Sequence, residues 1–220
     1  MNFKILVLLS FGYAVFVQGQ SNDAKQDINP PVVFEILTGN VGIASQLNIS
    51  KNFKDIPGLS FFSVSNISSK WNEKNAKDAM SQFNLAYEFV KGFRVFGGIH
   101  YTPSTGLRPS VMMLYSYVGD EITVVIGPRI DLADNSNLEG FGMVEYKPKL
   151  NDHWKVYSRL QGLYAQSLKG GIHARSYLMV RAGMSYKDYS FGLGANFDAY
   201  GPERMIKNNV GVFVAARLFK

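Results

Sequence analysis

The sequence predicts an all-β chain closed into an antiparallel transmembrane barrel of twelve strands, with ten as the other possible count. Three observations lead there. From residue 32 onward the chain divides into segments of about ten residues in which apolar and polar side chains alternate, the period of a strand facing two environments. Within a segment, charged residues keep to one parity wherever there is more than one. That polar parity is rich in Gly, Ser, Asn and Arg, while the other carries large apolar groups. A soluble sandwich would also alternate. Here, however, the strands run long and nearly unbroken from end to end, with no helix to cover a sheet face. A barrel in lipid puts the large apolar groups outside and a mixed polar set inside. Backbone groups in lipid must all be paired, which forces the sheet to close.

The first element is of another kind. Lys4 supplies a positive start, 5–17 is almost wholly apolar, and Val17 and Gly19 stand at the −3 and −1 positions of a cleavage site before Gln20. This reads as a secretory signal peptide over 1–19, cleaved after Gly19. The apolar run is too short for a membrane helix, which needs about twenty residues. Residues 20–31 are polar and read as a disordered leader. The barrel is expected over 32–220. The chain has no Cys, which excludes a lipid anchor at the cleavage site, thiol catalysis and Cys-ligated metal. It also suits a bacterial envelope protein better than a small disulfide-bonded eukaryotic domain. Loss of the signal peptide removes only Lys4 among the charges, so the formal net charge of +6 falls to about +5 after export.

The strands are expected at 32–38, 41–50, 59–69, 81–90, 93–102, 108–118, 121–132, 138–149, 154–165, 174–187, 189–200 and 209–219. The first two could be one bent strand. Alternation is clearest in 121–132, where Ile122, Val124, Ile126, Ile130 and Leu132 oppose Glu121, Thr123, Arg129 and Asp131. In 138–149 it is noisier, since Phe141 and Met143 share a face with Glu145 and Lys147. In 154–165, Trp154, Val156, Leu160 and Tyr164 oppose Lys155, Arg159 and Gln161. In 174–187, Leu178, Val180, Ala182, Met184 and Tyr186 oppose Arg175, Arg181, Ser185 and Lys187. In 189–200, Phe191, Leu193 and Phe197 oppose Gly192, Gly194, Asn196 and Asp198.

Lys91-Gly92, Gly119-Asp120 and Lys187-Asp188 read as tight hairpin turns. Longer links are expected at 103–107, 133–137, 166–173 and 201–208, so short and long connections alternate like periplasmic turns and extracellular loops. A C-terminus on the periplasmic side needs an even strand count. Tyr101, Tyr115, Tyr117, Tyr146, Trp154, Tyr164, Tyr186 and Tyr189 lie near strand ends, where amphipathic rings form girdles at the membrane interface.

The signal peptide, the strand series and the ending Val210-Gly211-Val212-Phe213-Val214-Ala215-Ala216-Arg217-Leu218-Phe219-Lys220 resemble Gram-negative outer-membrane β-barrels, which carry an aromatic at or near the end of the last strand. Lys220 after Phe219 departs from that ending. The Gln-led start and the stretch Phe141-Gly142-Met143-Val144-Glu145-Tyr146-Lys147-Pro148-Lys149 look like barrels of Bacteroidetes. In size and strand number the chain is similar to the narrow monomeric porins for acidic sugars. That resemblance implies outer-membrane placement and a lumen lined with Arg and Lys.

The inward parity carries Arg94, Arg129, Arg159, Arg175, Arg181 and Arg217, with Lys147, Lys155 and Lys187, and with Glu88, Asp131, Glu145 and Asp198. A guanidinium facing lipid costs about 2–4 kcal/mol at the barrel midplane, so these groups belong in the lumen. Two readings follow. The arginines could form a track for small anionic solutes. Or they could pair with Glu88, Asp131 and Glu145 in a network that plugs the barrel. The first gives a porin-like channel. The second gives a non-conducting barrel with loops as its working surface, the link 71–80 foremost.

No enzyme is expected. A lipid-modifying enzyme would need His100 beside Ser104, or His173 beside Ser176, and a third group to orient the base, and the sequence shows no recognisable arrangement of that kind. Three His without ligand spacing predict no metal site, and no cofactor is expected. The sequons at Asn48-Ile49-Ser50 and Asn66-Ile67-Ser68 are coincidental in a bacterial chain, and Gly192-x-Gly194 in a strand is no phosphate loop. The expected partners are outer-membrane lipid, lipopolysaccharide and small solutes. An exported barrel does not meet nucleic acid, despite its basic charge.

Overall fold

The computed structural model describes residues 29–73, 78–134 and 136–219. The expected signal peptide at 1–19, most of the leader and part of the link 71–80 lie outside the described residues. Among the described residues twelve strands are present: β1 (Val32–Gly39), β2 (Gly42–Asn52), β3 (Leu59–Lys70), β4 (Asp78–Val90), β5 (Phe93–Thr102), β6 (Gly106–Val118), β7 (Ile122–Asp131), β8 (Asn137–Tyr146), β9 (Trp154–Ser167), β10 (His173–Tyr186), β11 (Tyr189–Tyr200) and β12 (Met205–Leu218). Each pairs antiparallel with the next, and β1 pairs with β12 to close the ring. The first two are therefore separate strands, and the count is twelve.

Closure is reinforced at both ends of the seam. At the end carrying the chain termini, Lys51 Nζ donates to the carbonyls of Pro30 at 2.7 Å and Phe219 at 3.3 Å. At the opposite, loop end, Asn209 of β12 caps the β1–β2 turn. Its Oδ1 accepts from Val41 N–H at 3.1 Å, and its Nδ2 donates to the Gly42 carbonyl at 3.0 Å.

Several strands run further than expected at the loop end. β4 begins at Asp78, β6 at Gly106 and β12 at Met205. The ladder continues because each extension has a partner: Met205 lies opposite Tyr200, and Gly106 opposite Thr102. The links therefore shorten to 103–105 and 201–204, and the expected contrast between short turns and long loops largely disappears. At the other end β8 stops at Tyr146, short of the expected Lys149, because Pro148 has no N–H for the ladder. Its carbonyl still accepts from Val156 N–H at 3.0 Å.

The two faces separate by parity. The outer face exposes Leu85, Val111, Ile126, Leu160, Leu193 and Val212, a band of large apolar groups. Of the rings expected in girdles, Tyr115, Tyr117, Tyr146, Trp154, Tyr186 and Tyr189 gather on this face at the terminal end, while Tyr101 and Tyr164 lie toward the loop end. The terminal-end rings touch one another: Trp154 lies 4.8 Å from Tyr186, and Phe93 4.7 Å from Tyr115, between centroids.

The core is inside the barrel. Leu37, Tyr157, Phe213 and Ala215 form one buried apolar cluster, and Ala86, Phe96, Met112 and Leu114 another, joined by Phe62, Val125 and Phe141. The noisy segment 138–149 is thereby explained. Phe141 shares its parity with Glu145 because both point inward, one to pack and one to pair.

Candidate functional site

The lumen is a stack of charged layers on those apolar clusters. Antiparallel register and period 2 put Glu35, Arg129, Asp131, Glu139, Arg159, Arg175, Arg181 and Asp198 on inward positions. Strand order then sets which of them meet across the interior.

One layer centres on Glu35 of β1, which is 2% exposed. Its Oε1 accepts from Arg159 Nη2 at 2.8 Å and from Arg181 Nε at 2.9 Å. Arg181 Nη1 also donates to the carbonyls of Val180 and Ala195 and to Asn196 Oδ1, at 2.9, 3.1 and 2.9 Å. Two guanidiniums thus converge on one carboxylate. Burying ions is costly, and Arg181 offsets part of that cost through these further hydrogen bonds and a ring contact. The Arg181 guanidinium lies 5.8 Å from the Phe213 ring centre.

Gly194 makes room for this. A Cβ there would lie 3.0 Å from Arg181 Cδ and 2.8 Å from Leu37 Cδ1. Gly194→Val should therefore push Arg181 off Glu35 and destabilise the barrel by about 1–3 kcal/mol, read as a lower urea midpoint in detergent micelles.

A second layer joins β4 to β8. Arg129 Nη2 donates to Glu139 Oε1 at 2.6 Å and lies 3.5 Å from Asp131 Oδ1. Arg129 Nη1 donates to Gln82 Oε1 at 3.3 Å, and Nη2 lies 3.2 Å from His100 Nδ1. Arg108 approaches Asp131 to 3.8 Å.

A third layer lies at the loop end. Arg175 donates from Nε and Nη2 to Asp198 Oδ1 at 3.2 and 2.8 Å, and its Nη1 comes within 4.0 Å of Asp78. The Tyr200 hydroxyl donates to Asp78. β4 and β10 stand six places apart in the ring of twelve, so Arg175 and Asp78 reach toward each other from opposite walls. Above them is a hollow of about 120 Å³ lined by Lys70, Asp78, Asp198, Tyr200 and Lys207.

The remaining predicted residues sit nearer the terminal end. Arg94 donates to Glu88 at 2.7 Å, and Glu145 pairs with Lys147 at 2.5 Å. Lys155 and Arg217 occupy inward positions at that mouth.

Sequence reasoning missed Glu35 and Glu139 as members of the network. A lone carboxylate in the apolar run 32–38 was the available signal for Glu35. Glu139 needed the β7–β8 register, which sets it directly opposite Arg129. His100 does not meet Ser104. It faces the lumen beside Arg129, whereas the Ser104 hydroxyl bonds Thr102 at 3.1 Å in the turn. His173 does meet Ser176, with Nε2 and Oγ 3.0 Å apart.

No protein-family model and no curated protein matches this sequence. Among solved structures, the NanC porin aligns over 86% of this chain and all of its own, at 14% identity and a TM-score of 0.50. The KdgM porin aligns over 86% of this chain and 99% of its own, also at 14% identity, with a TM-score of 0.47. The chain forms a closed twelve-stranded antiparallel barrel, a fold similar to that of the NanC porin.

Proposed function

We propose that the protein is a narrow outer-membrane channel for small, preferentially anionic solutes, held shut at rest by ion pairs that span its lumen. The observation that carries this reading is the convergence of Arg159 and Arg181 on the single carboxylate Glu35. A solute carboxylate or phosphate can replace a side-chain carboxylate in such a fork, because the guanidinium offers the same bidentate donors to either. Passage is then an exchange of partners along a ladder of weak sites. Lys155 and Arg217 add positive charge at the terminal mouth, which this reading places in the periplasm.

Purified protein in a planar bilayer should show discrete conductance steps with anion over cation selectivity. Silence at high protein across a voltage ramp would overturn the reading. Replacing Arg129 and Arg159 together by Ser should lower the anion-to-cation permeability ratio, measured from reversal potentials in a salt gradient.

One observation favours a second reading, a non-conducting barrel. Tyr157 and Phe213 lie 5.6 Å apart between ring centres, within a buried apolar cluster that fills one side of the lumen. That reading predicts no steps under any voltage or solute.

A further inference from the structure

A separate arrangement lies on the outside of the wall. β10 opens with a register irregularity between His173 and Arg175 against β9. In a regular strand, residues 173 and 176 would face opposite sides. The extra residue re-aims His173, as bulges do, so that it shares a side with Ser176. Ser176 lies directly opposite Tyr164 on β9 and Ala199 on β11, both on outward positions. The Tyr164 ring packs against the His173 ring at 5.6 Å.

The hydrogen bonds fix the proton on the imidazole. Nδ1 lies 2.7 Å from the Gly201 carbonyl, which can only accept, so Nδ1 carries the hydrogen. In the neutral ring Nε2 is then an acceptor, and the Ser176 hydroxyl donates to it across 3.0 Å. Gly201 holds φ +70 in the β11–β12 turn, a backbone state that suits glycine. His173 is only 8% exposed, and its orientation is held from both sides. This is the order of parts that activates a serine: a hydroxyl, a base within reach, and a third group that sets the base. Around it Tyr164, Leu168, Ile172 and Leu178 are exposed apolar groups near the loop end of the barrel.

We propose that Ser176 and His173 form a nucleophile–base pair that hydrolyses acyl esters of membrane lipids at the loop-end rim. The inference rests on the membrane placement of the barrel and not on conduction through it. Ser176 Oγ attacks the ester carbonyl carbon while its proton passes to His173 Nε2. The tetrahedral adduct collapses, the bond to the alcohol oxygen breaks, and Nε2 returns the proton to that oxygen. Water then adds to the acyl-serine with Nε2 again as base, releasing the fatty acid and restoring the hydroxyl. The exposed apolar groups would lie along the acyl chain.

The test uses the full-length barrel in detergent micelles and in vesicles. A fluorophosphonate should form one adduct, located on Ser176 by peptide mass spectrometry. Ser176→Ala should abolish it while barrel mobility on unheated gels and any conductance stay unchanged. His173→Gln should slow labelling by about 100-fold or more, the usual share of a general base. Fatty acid release is then followed from phosphatidylethanolamine vesicles and, separately, from lipopolysaccharide, so that the source of the ester is distinguished. Release from either, lost in Ser176→Ala, supports the proposal. A folded barrel without a Ser176 adduct overturns it, as does labelling that His173→Gln leaves unaltered. An adduct without release from either lipid also overturns it.

Discussion

Leu160→Arg should cost the folded barrel about 2–4 kcal/mol in a bilayer, among the largest losses available to a single surface change. Leu160 lies mid-strand on β9, points outward and is 51% exposed. On a protein surrounded by water, a charge at so open a position would shift stability by no more than about 0.5 kcal/mol. The difference arises because hydrocarbon cannot solvate a guanidinium. Reversible urea unfolding in lipid vesicles measures it, with Leu160→Ala as the uncharged contrast. Equal and negligible effects of both substitutions would show that the outer face meets water and not lipid.

The second large effect concerns the carboxylate that two arginines share. Glu35→Ala leaves Arg159 and Arg181 buried without the carboxylate they share, and losing one partner of a buried pair costs about 3–5 kcal/mol. The expected result is a clear drop in unfolding free energy. In planar bilayers the same variant should spend more time open, because water entering the lumen is the alternative way to solvate the two guanidiniums. Adding Arg159→Met and Arg181→Leu should restore most of the lost stability, since an apolar layer of similar volume is as stable as a buried ion cluster. Unchanged unfolding in Glu35→Ala would mean that the layer is already hydrated and seals nothing.

Much of the architecture was legible because strand period and side-chain chemistry agree. Twelve alternating segments became twelve strands, and Arg129, Arg159 and Arg181 fall on the inward parity that their charge demands in a lipid-facing sheet. The remainder depended on distances that no linear pattern carries. Arg175 reaches toward Asp78 because their strands face each other across the ring, which strand order decides and local sequence does not. Phe141 and Met143 blurred their segment because the interior is partly apolar, an outcome that parity alone treats as noise. His173 was read as part of the link before β10, and its contact with Ser176 depends on one inserted residue at the start of that strand, which the linear pattern does not show. Strand ends were misjudged where cross-strand partners prolonged the ladder past Arg108 and Asn209.

The closing pair of strands also dictates the order in which the protein can be built. β1 has its partners in β2 and in the distant β12, so half of its backbone hydrogen bonds wait until β12 has emerged. Joining segments so distant in sequence carries the largest loop-closure entropy in the chain. Until that moment two unpaired edges stay open to stray strands. Assembly is therefore a late commitment: a chain truncated before Met205 keeps every earlier hairpin yet has no way to finish, and needs escort until the final segment arrives.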